Sequence, residues 1–434
     1  MFRSLLYLIF RGEITRKKAL SWLMTIIGLV VLGFSLRHLD SGTTTILTLG
    51  SGQAENPASV SVPTYPYLFV IGIYMFIAGI LGAYAPEKSK WGYSTTILLL
   101  IGGFLIFPSL LIAAAADGRT NAITMFSETL RLATPIAIGA MAGIWCERSG
   151  VINIAIEGMM LTGAAIGFTT LFYMQNIWQV FPPEQINIAL TIAVSVAVLA
   201  GGIVSLLHAW LSITFATDQI VSGTVINILA LGVTSFLRRE VLLSTDTGLT
   251  RLPAVRVPIL ADIPYIGEAL FNNQPIFYLM FVIIILTHIM LFYTRWGLRT
   301  RAVGENPHAA DTLGIEVNKM RWINVFIGGM IAGLAGAWFS LEATGRFTDG
   351  MTNGAGFISL AAMIFGKWTP FGAFGGALLF GFSDALGTRF QILGVPIPPQ
   401  FLQMVPYLVT IIVLAGLVGR AEPPKAIGKP YRKE

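Results

Sequence analysis

The chain has 434 residues, of which 55% are hydrophobic and only 12% charged, with a formal net charge of +6. Soluble domains carry about 25% charged residues, so the composition excludes an ordinary soluble protein and points to an integral membrane one. The positive surplus then reports basic cytoplasmic loops and not a nucleic-acid surface. The single cysteine, Cys146, excludes an intrachain disulfide or a cysteine-rich metal centre and reads as a small residue at a membrane edge.

A helix needs about 20 mostly apolar residues to cross a bilayer. In chain order the candidates are 20–36, 65–85, 92–116, 122–146, 149–174, 187–215, 218–237, 274–293, 322–345, 354–368, 370–388 and 400–419. The first is followed by Arg37-His38 with no small-residue cleavage site, so it is expected to stay as an anchor and not to be removed as a signal. The expected fold class is all-α, a polytopic transmembrane bundle of about 9–12 spans. Segment 149–174 contains polar residues and 354–368 is short. Either can be a broken or re-entrant piece whose backbone is covered by protein or faces a water cavity.

With the N-terminus inside, nineteen of the 28 Lys and Arg residues fall on the inner side, eight fall outside, and Arg131 lies within a span. That asymmetry predicts both termini to be cytoplasmic. The pairs Gly139/Gly143, Gly163/Gly167, Gly329/Gly333 and Gly372/Gly376 fit close helix packing.

Three connections are longer than turns. Residues 37–64 are rich in Ser, Thr and Gly and read as a flexible link. Residues 238–273 read as an outer docking surface, or as a lid on the bundle. Residues 295–321 read as an inner loop in which Asn306 caps a short helix that begins at Pro307 and ends near Gly314. The small residues of that helix suit a partner's groove, which favours docking over a merely solvated basic loop.

Several polar residues lie in otherwise apolar stretches. Asn153 and Glu157, four apart, share a face if they are helical. They can line a substrate path or hold a helix break, with Glu157 accepting from backbone N–H groups or pairing with Arg148. Near the inner face, a gate or scaffold role outweighs substrate contact. Glu128 and Arg131 sit at i and i+3 and are expected to form an intramembrane ion pair. Gln219 and Asn227 share one helical face, and Glu342 is a further polar residue beside the path. Phe168, Trp338 and Phe357 can stack on a ring, although packing is the commoner role of aromatics in spans.

There is no phosphate loop and no nucleophile elbow, and the histidines at 38, 208, 288 and 308 lack metal-ligand spacing. No enzyme activity, metal or cofactor is therefore expected.

Three stretches carry a family resemblance: ETLRLATPIAIGAMAGIWCERSGVINIAIEGMMLTGA at 128–164, GLRTRAVGENPHAADTLGI at 297–315, and GFISLAAMIFGKWTPFGAFGGALLFGFSDAL at 356–386. Together with VPYLVTIIVLAG and the tail PPKAIGKPYRKE, they resemble permease subunits of ATP-binding-cassette importers in the branched simple-sugar and nucleoside group, most of all those of nucleoside importers. The resemblance implies separate ATPase subunits, a second permease subunit and an extracytoplasmic substrate-binding protein, all at the inner membrane among its lipids. It divides the chain into an N-terminal extension at 1–120 with about three spans, a permease domain at 121–420 and a cytoplasmic tail at 421–434. It also implies that Gly304, Glu305, Asn306, Pro307, His308, Ala309, Ala310 and Gly314 form the coupling helix that contacts the ATPase, with His308 where a Glu often stands. The rival expectation is an ion-gradient-driven secondary transporter, which needs a titrating acidic cluster at the midplane. No such cluster is evident.

Overall fold

The computed structural model describes residues 15–49, 58–86, 89–242, 250–264, 266–393, 404 and 422–432. Eight helices among them are long and apolar enough to cross a membrane. The chain divides into two compact units, one comprising Met1–Phe126, Pro264–Ile266 and Asp384–Arg420 and the other the remainder.

The first unit holds α1 (Arg16–His38), β1 (Thr44–Leu49), β2 (Ala58–Pro63), α2 (Thr64–Tyr84), α3 (Lys90–Ala114) and β3 (Arg119–Asn121). α1 and α2 pack so closely that a Cβ on Gly28 would lie 2.5 Å from the Phe76 backbone nitrogen. Among the described residues of 37–64, expected to be a flexible link, 44–49 and 58–63 are strand. β1 pairs antiparallel with β2 and parallel with β3. The β-branched Thr, Ile and Val of TTILTL and ASVSVP favour extended pairing, and Ser and Thr content alone concealed this. The sheet is pinned to the helices by Thr45, whose hydroxyl meets Thr64 Oγ1 at 2.7 Å and Ile112 O at 3.1 Å.

α4 (Ala122–Arg148) leads into the second unit. There follow α5 (Ile156–Phe172), α6 (Ile186–Ala209), α7 (Gln219–Leu237), the short β4 (Val255–Arg256), α8 (Gly267–Phe271), β5 (Asn272–Asn273) and α9 (Pro275–Tyr293). Next come α10 (Arg295–Glu305), α11 (Pro307–Thr312), α12 (Val317–Ala337), α13 (Ala355–Phe365) and α14 (Pro370–Ile392). α5, α6, α7 and α12 each run on into a wider π turn. α5 and α12 touch backbone to backbone, since a Cβ on Gly163 would sit 2.6 Å from Gly333 O. Such contact replaces the hydrophobic drive that lipid does not supply.

Two candidate crossings take the broken or short form that their sequence left open. Segment 149–174 becomes helical only at Ile156, and 354–368 is helical only over Ala355–Phe365, too short to span. The expected span at 400–419 lies outside the described residues, apart from residue 404. Among the described residues there are also two small sheets. Within 238–273, β4 pairs with β5, Arg256 pairs with Asp262, and Leu252 N donates to Leu341 O at 2.8 Å. Residues 243–249 lie outside the description.

Candidate coupling site and transport path

α4 stops because Gly150 adopts φ +90°, a left-handed conformation in which a Cβ would be strained. No helix forms again until residue 156, so Asn153 and Glu157 do not share a helical face. The physical reason is that the backbone groups freed at 152–158 are satisfied from other helices, which makes the irregular stretch tolerable at membrane depth.

Gln219 Oε1 accepts from Ile152 N at 2.7 Å. His208 Nε2 lies 2.8 Å from Ile152 O, and its Nδ1 lies 2.9 Å from the Ser222 hydroxyl. A carbonyl only accepts, so Nε2 carries the proton and Ser222 donates to Nδ1. Asn227 uses both ends of its amide: Oδ1 accepts from Gly158 N at 2.8 Å and Nδ2 donates to Ile154 O at 2.9 Å. Gln219 and Asn227 thus face the break from one side of α7.

Glu157 is tied to the loop before α13. Its carboxylate accepts from the Thr352 hydroxyl at 2.7 Å, Gly354 N at 2.8 Å and Gly356 N at 2.7 Å. A carboxylate there satisfies orphan donors of the short helix and complements its positive end. Asn153 is fully buried; Nδ2 reaches Cys146 Sγ at 3.2 Å and Met159 Sδ at 3.6 Å, and Oδ1 has no partner among the described residues. Cys146 is itself fully buried, in a cluster with Val151, Ala209, Ile213 and Val325.

Arg148 does not pair with Glu157. It donates from Nη2 to Trp368 O at 2.9 Å and lies over the Phe292 ring. The adjacent Glu147, 5% exposed, accepts from Trp368 Nε1 at 2.6 Å. Glu147 and His208 were not singled out by sequence reasoning. The acidic residue at the end of an apolar helix was the available signal for the first; His208 gave none, because its partners are remote in sequence.

Glu342, 2% exposed, accepts from Ile276 N at 2.7 Å at the start of α9. Glu128 Oε1 and Arg131 Nη1 stand 3.3 Å apart, both partly exposed. Among the aromatics, Phe168 and Trp338 are buried in the core, whereas Phe357 is 48% exposed. Among the described residues no group of three or more His, Cys, Asp and Glu side chains is placed to hold a metal.

At the end of the helices where α4 breaks lies the hairpin of α10 and α11. Asn306 Oδ1 accepts from Ala309 N at 3.2 Å, capping α11, and Pro307 occupies the first turn. Gly314, at φ +78°, turns the chain into α12. Glu305, Asn306, His308, Ala309 and Gly314 are exposed, while Gly304, Pro307 and Ala310 are buried. Ala310 packs with Val303, Val317, Met320 and Tyr431, so it is not available to a partner's groove. The apolar side chain presented there is Leu313, 81% exposed. Sequence reasoning passed over it because the small residues drew attention.

The family of branched-chain amino acid transport system permease components matches residues 125–414. The chain belongs to that family. The guanosine ABC transporter permease NupQ of Bacillus subtilis is 42% identical to this permease over 312 residues, covering 70% of this chain and 95% of the relative. The nucleoside ABC transporter permease NupC of Lactococcus lactis is 39% identical over 71% of this chain and 96% of its own. The putative glucose ABC transporter permease TsgC13 of Haloferax volcanii is 32% identical, with 71% and 98% covered. No solved structure matches. The permease is a multi-pass inner-membrane protein whose part is translocation. The matched segment starts in the first turn of α4 and includes the break, α11 and α13, leaving α1–α3 outside.

Proposed function

We propose that this permease is the membrane subunit of an ATP-driven importer of nucleosides. The observation that carries the substrate class is the similarity, over nearly the whole length of each relative, to a guanosine and a nucleoside permease. Both termini face the cytoplasm, in keeping with the excess of Lys and Arg on that side. Residues 1–120 are an N-terminal extension, 121–420 the translocating domain and 421–434 a cytoplasmic tail. ATP is hydrolysed by separate subunits, a second permease subunit completes the path, and an extracytoplasmic binding protein delivers substrate.

The segment 304–314 is the coupling helix. Its exposed face, above all Leu313, suits insertion into an ATPase groove, and its capped ends keep it rigid under load. Closure of the ATPases displaces this segment and biases the bundle between outward- and inward-open states, because a partner shifts an equilibrium only by binding the two states differently. Asn153, Glu157, Gln219, Asn227 and Glu342 serve the path as gate and scaffold. Glu157, Gln219, Asn227 and Glu342 already hold backbone groups of the break, α9 or α13, which favours that role over direct contact with substrate. Glu128 and Arg131 brace α4.

The test is uptake of labelled guanosine by the assembled complex. Unlabelled nucleosides compete, pentoses do not, and ATP depletion abolishes uptake. Competition by pentoses would assign a sugar substrate. Uptake that persists without ATP and collapses with an ionophore would indicate an ion-driven carrier instead.

A further inference from the structure

The described part of the tail, residues 422–432, returns to the place where α4 breaks and the α10–α11 hairpin begins. Ala426 N donates to Gly304 O at 2.9 Å, and Gly428 N donates to Gly150 O at 3.0 Å. The tail therefore bonds to the coupling hairpin and to the break within two residues of its own length. Gly428 makes the turn at φ +73°, and a Cβ there would meet the Ile152 side chain at 2.9 Å. Gly304 packs so tightly on Arg148 O that no side chain fits between them.

Arg321 locks this crossing. It is 1% exposed, donates from Nε to Ser149 O at 3.2 Å and from Nη1 to Lys429 O at 3.0 Å. No carboxylate among the described residues forms an ion pair with it. Among the described residues its hydrogen bonds go to backbone carbonyls, on which a buried guanidinium depends, and the tail supplies both Lys429 O and an electrostatic interaction with Tyr431. Beyond this knot, Tyr431 is 7% exposed and packs beneath α11 against Val303, Ala310, Val317 and Met320, its ring centroid 5.1 Å from that of His308.

We infer that the tail is a tie that makes the coupling hairpin and the break at 149–152 move as one body, with Arg321 and Tyr431 as positioning residues for transport. The inference rests on the reading of 304–314 as the segment gripped by the ATPase. Without the tail, the hairpin keeps its exposed docking face, because Leu313 and Ala309 are exposed and lie outside the cluster in which Tyr431 packs. It loses the bonds through which its displacement reaches the entry of α5. ATP hydrolysis then continues while transport falls.

The experiment compares the full chain, a chain ending at residue 421 and the full-length Tyr431→Ala variant, each assembled with the ATPases, the second permease and the binding protein. Both variants should retain the ATPases and hydrolyse ATP, while substrate moved per ATP drops on the order of tenfold. A loss of folding alone would lower both quantities together. In parallel, hydrogen exchange on the isolated permease should show amides at 150–152 and at 304–306 exchanging faster together in both variants. An unchanged transport-to-ATP ratio, or faster exchange confined to the tail, overturns the tie. ATPases that leave the variants but not the full chain would make the tail a docking surface and also overturn it. If the ATPases fail to bind even the full chain, the coupling-helix reading fails, and the exchange data still decide whether the tail joins the two segments.

Discussion

Glu157 shows how a carboxylate is kept in apolar surroundings: it receives three hydrogen bonds, two of them from backbone N–H groups, Gly354 at the cap and Gly356 in the first turn of α13. Hydrogen bonds to a charged group contribute about 1.5–3 kcal/mol each. Glu157→Ala should therefore lower the melting temperature of the purified permease by roughly 5 °C or more, with Glu157→Gln intermediate because one acceptor oxygen remains. A thermal-shift assay in detergent checks this, and unchanged melting of the Ala variant would contradict the capping role. Asn227 offers a paired test at the break. Asn227→Leu removes the partners of both Gly158 N and Ile154 O and should destabilise the permease more than Asn227→Asp, which keeps the acceptor. Equal melting temperatures for the two variants would count against that division of roles.

At the level of single elements, the α11 segment turns its side chains two ways, which a string of small residues conceals. Ala310 faces inward and Leu313 outward. Ala310→Trp should overpack the cluster with Val317 and Tyr431, at a cost of about 1–3 kcal/mol, and lower stability directly. Leu313→Asp should leave melting unchanged while co-purification of the ATPases falls on the order of tenfold, a usual loss when an anchoring interface side chain is removed. The reverse pattern would place the docking face elsewhere. These orientations were not legible in the sequence, because HAADTLG fits a partner's groove or its own core equally well. Hydropathy did read α1, α2, α3, α4, α6, α9 and α12 with small errors at their ends, since each is a long apolar run. It left 149–174 open as a crossing or a broken piece and could not place the break at 149–155, because what sustains an irregular backbone there is a set of side chains, Gln219, His208 and Asn227, more than fifty residues downstream. It also read 37–64 as flexible, because strand pairing across 44–49 and 58–63 is a register property that composition does not express.

For the whole molecule, the relatives align over 95–98% of their own lengths yet cover only about seven tenths of this chain, and the family match starts at residue 125. α1–α3 lie outside that match. A chain beginning at residue 121 should therefore still associate with the ATPases and support ATP-dependent uptake. Loss of uptake with normal ATPase association would instead assign the extension a direct part in delivery or passage of substrate.

The claim on which the rest depends is that the segment around Leu313 faces the cytoplasm and is covered by an ATPase. The one native cysteine is buried, so a Leu313→Cys variant reports on this position with little background. A membrane-impermeant maleimide should label it in inside-out vesicles, not in intact cells, and bound ATPase subunits should block the reaction. Labelling from the outside of intact cells would contradict it.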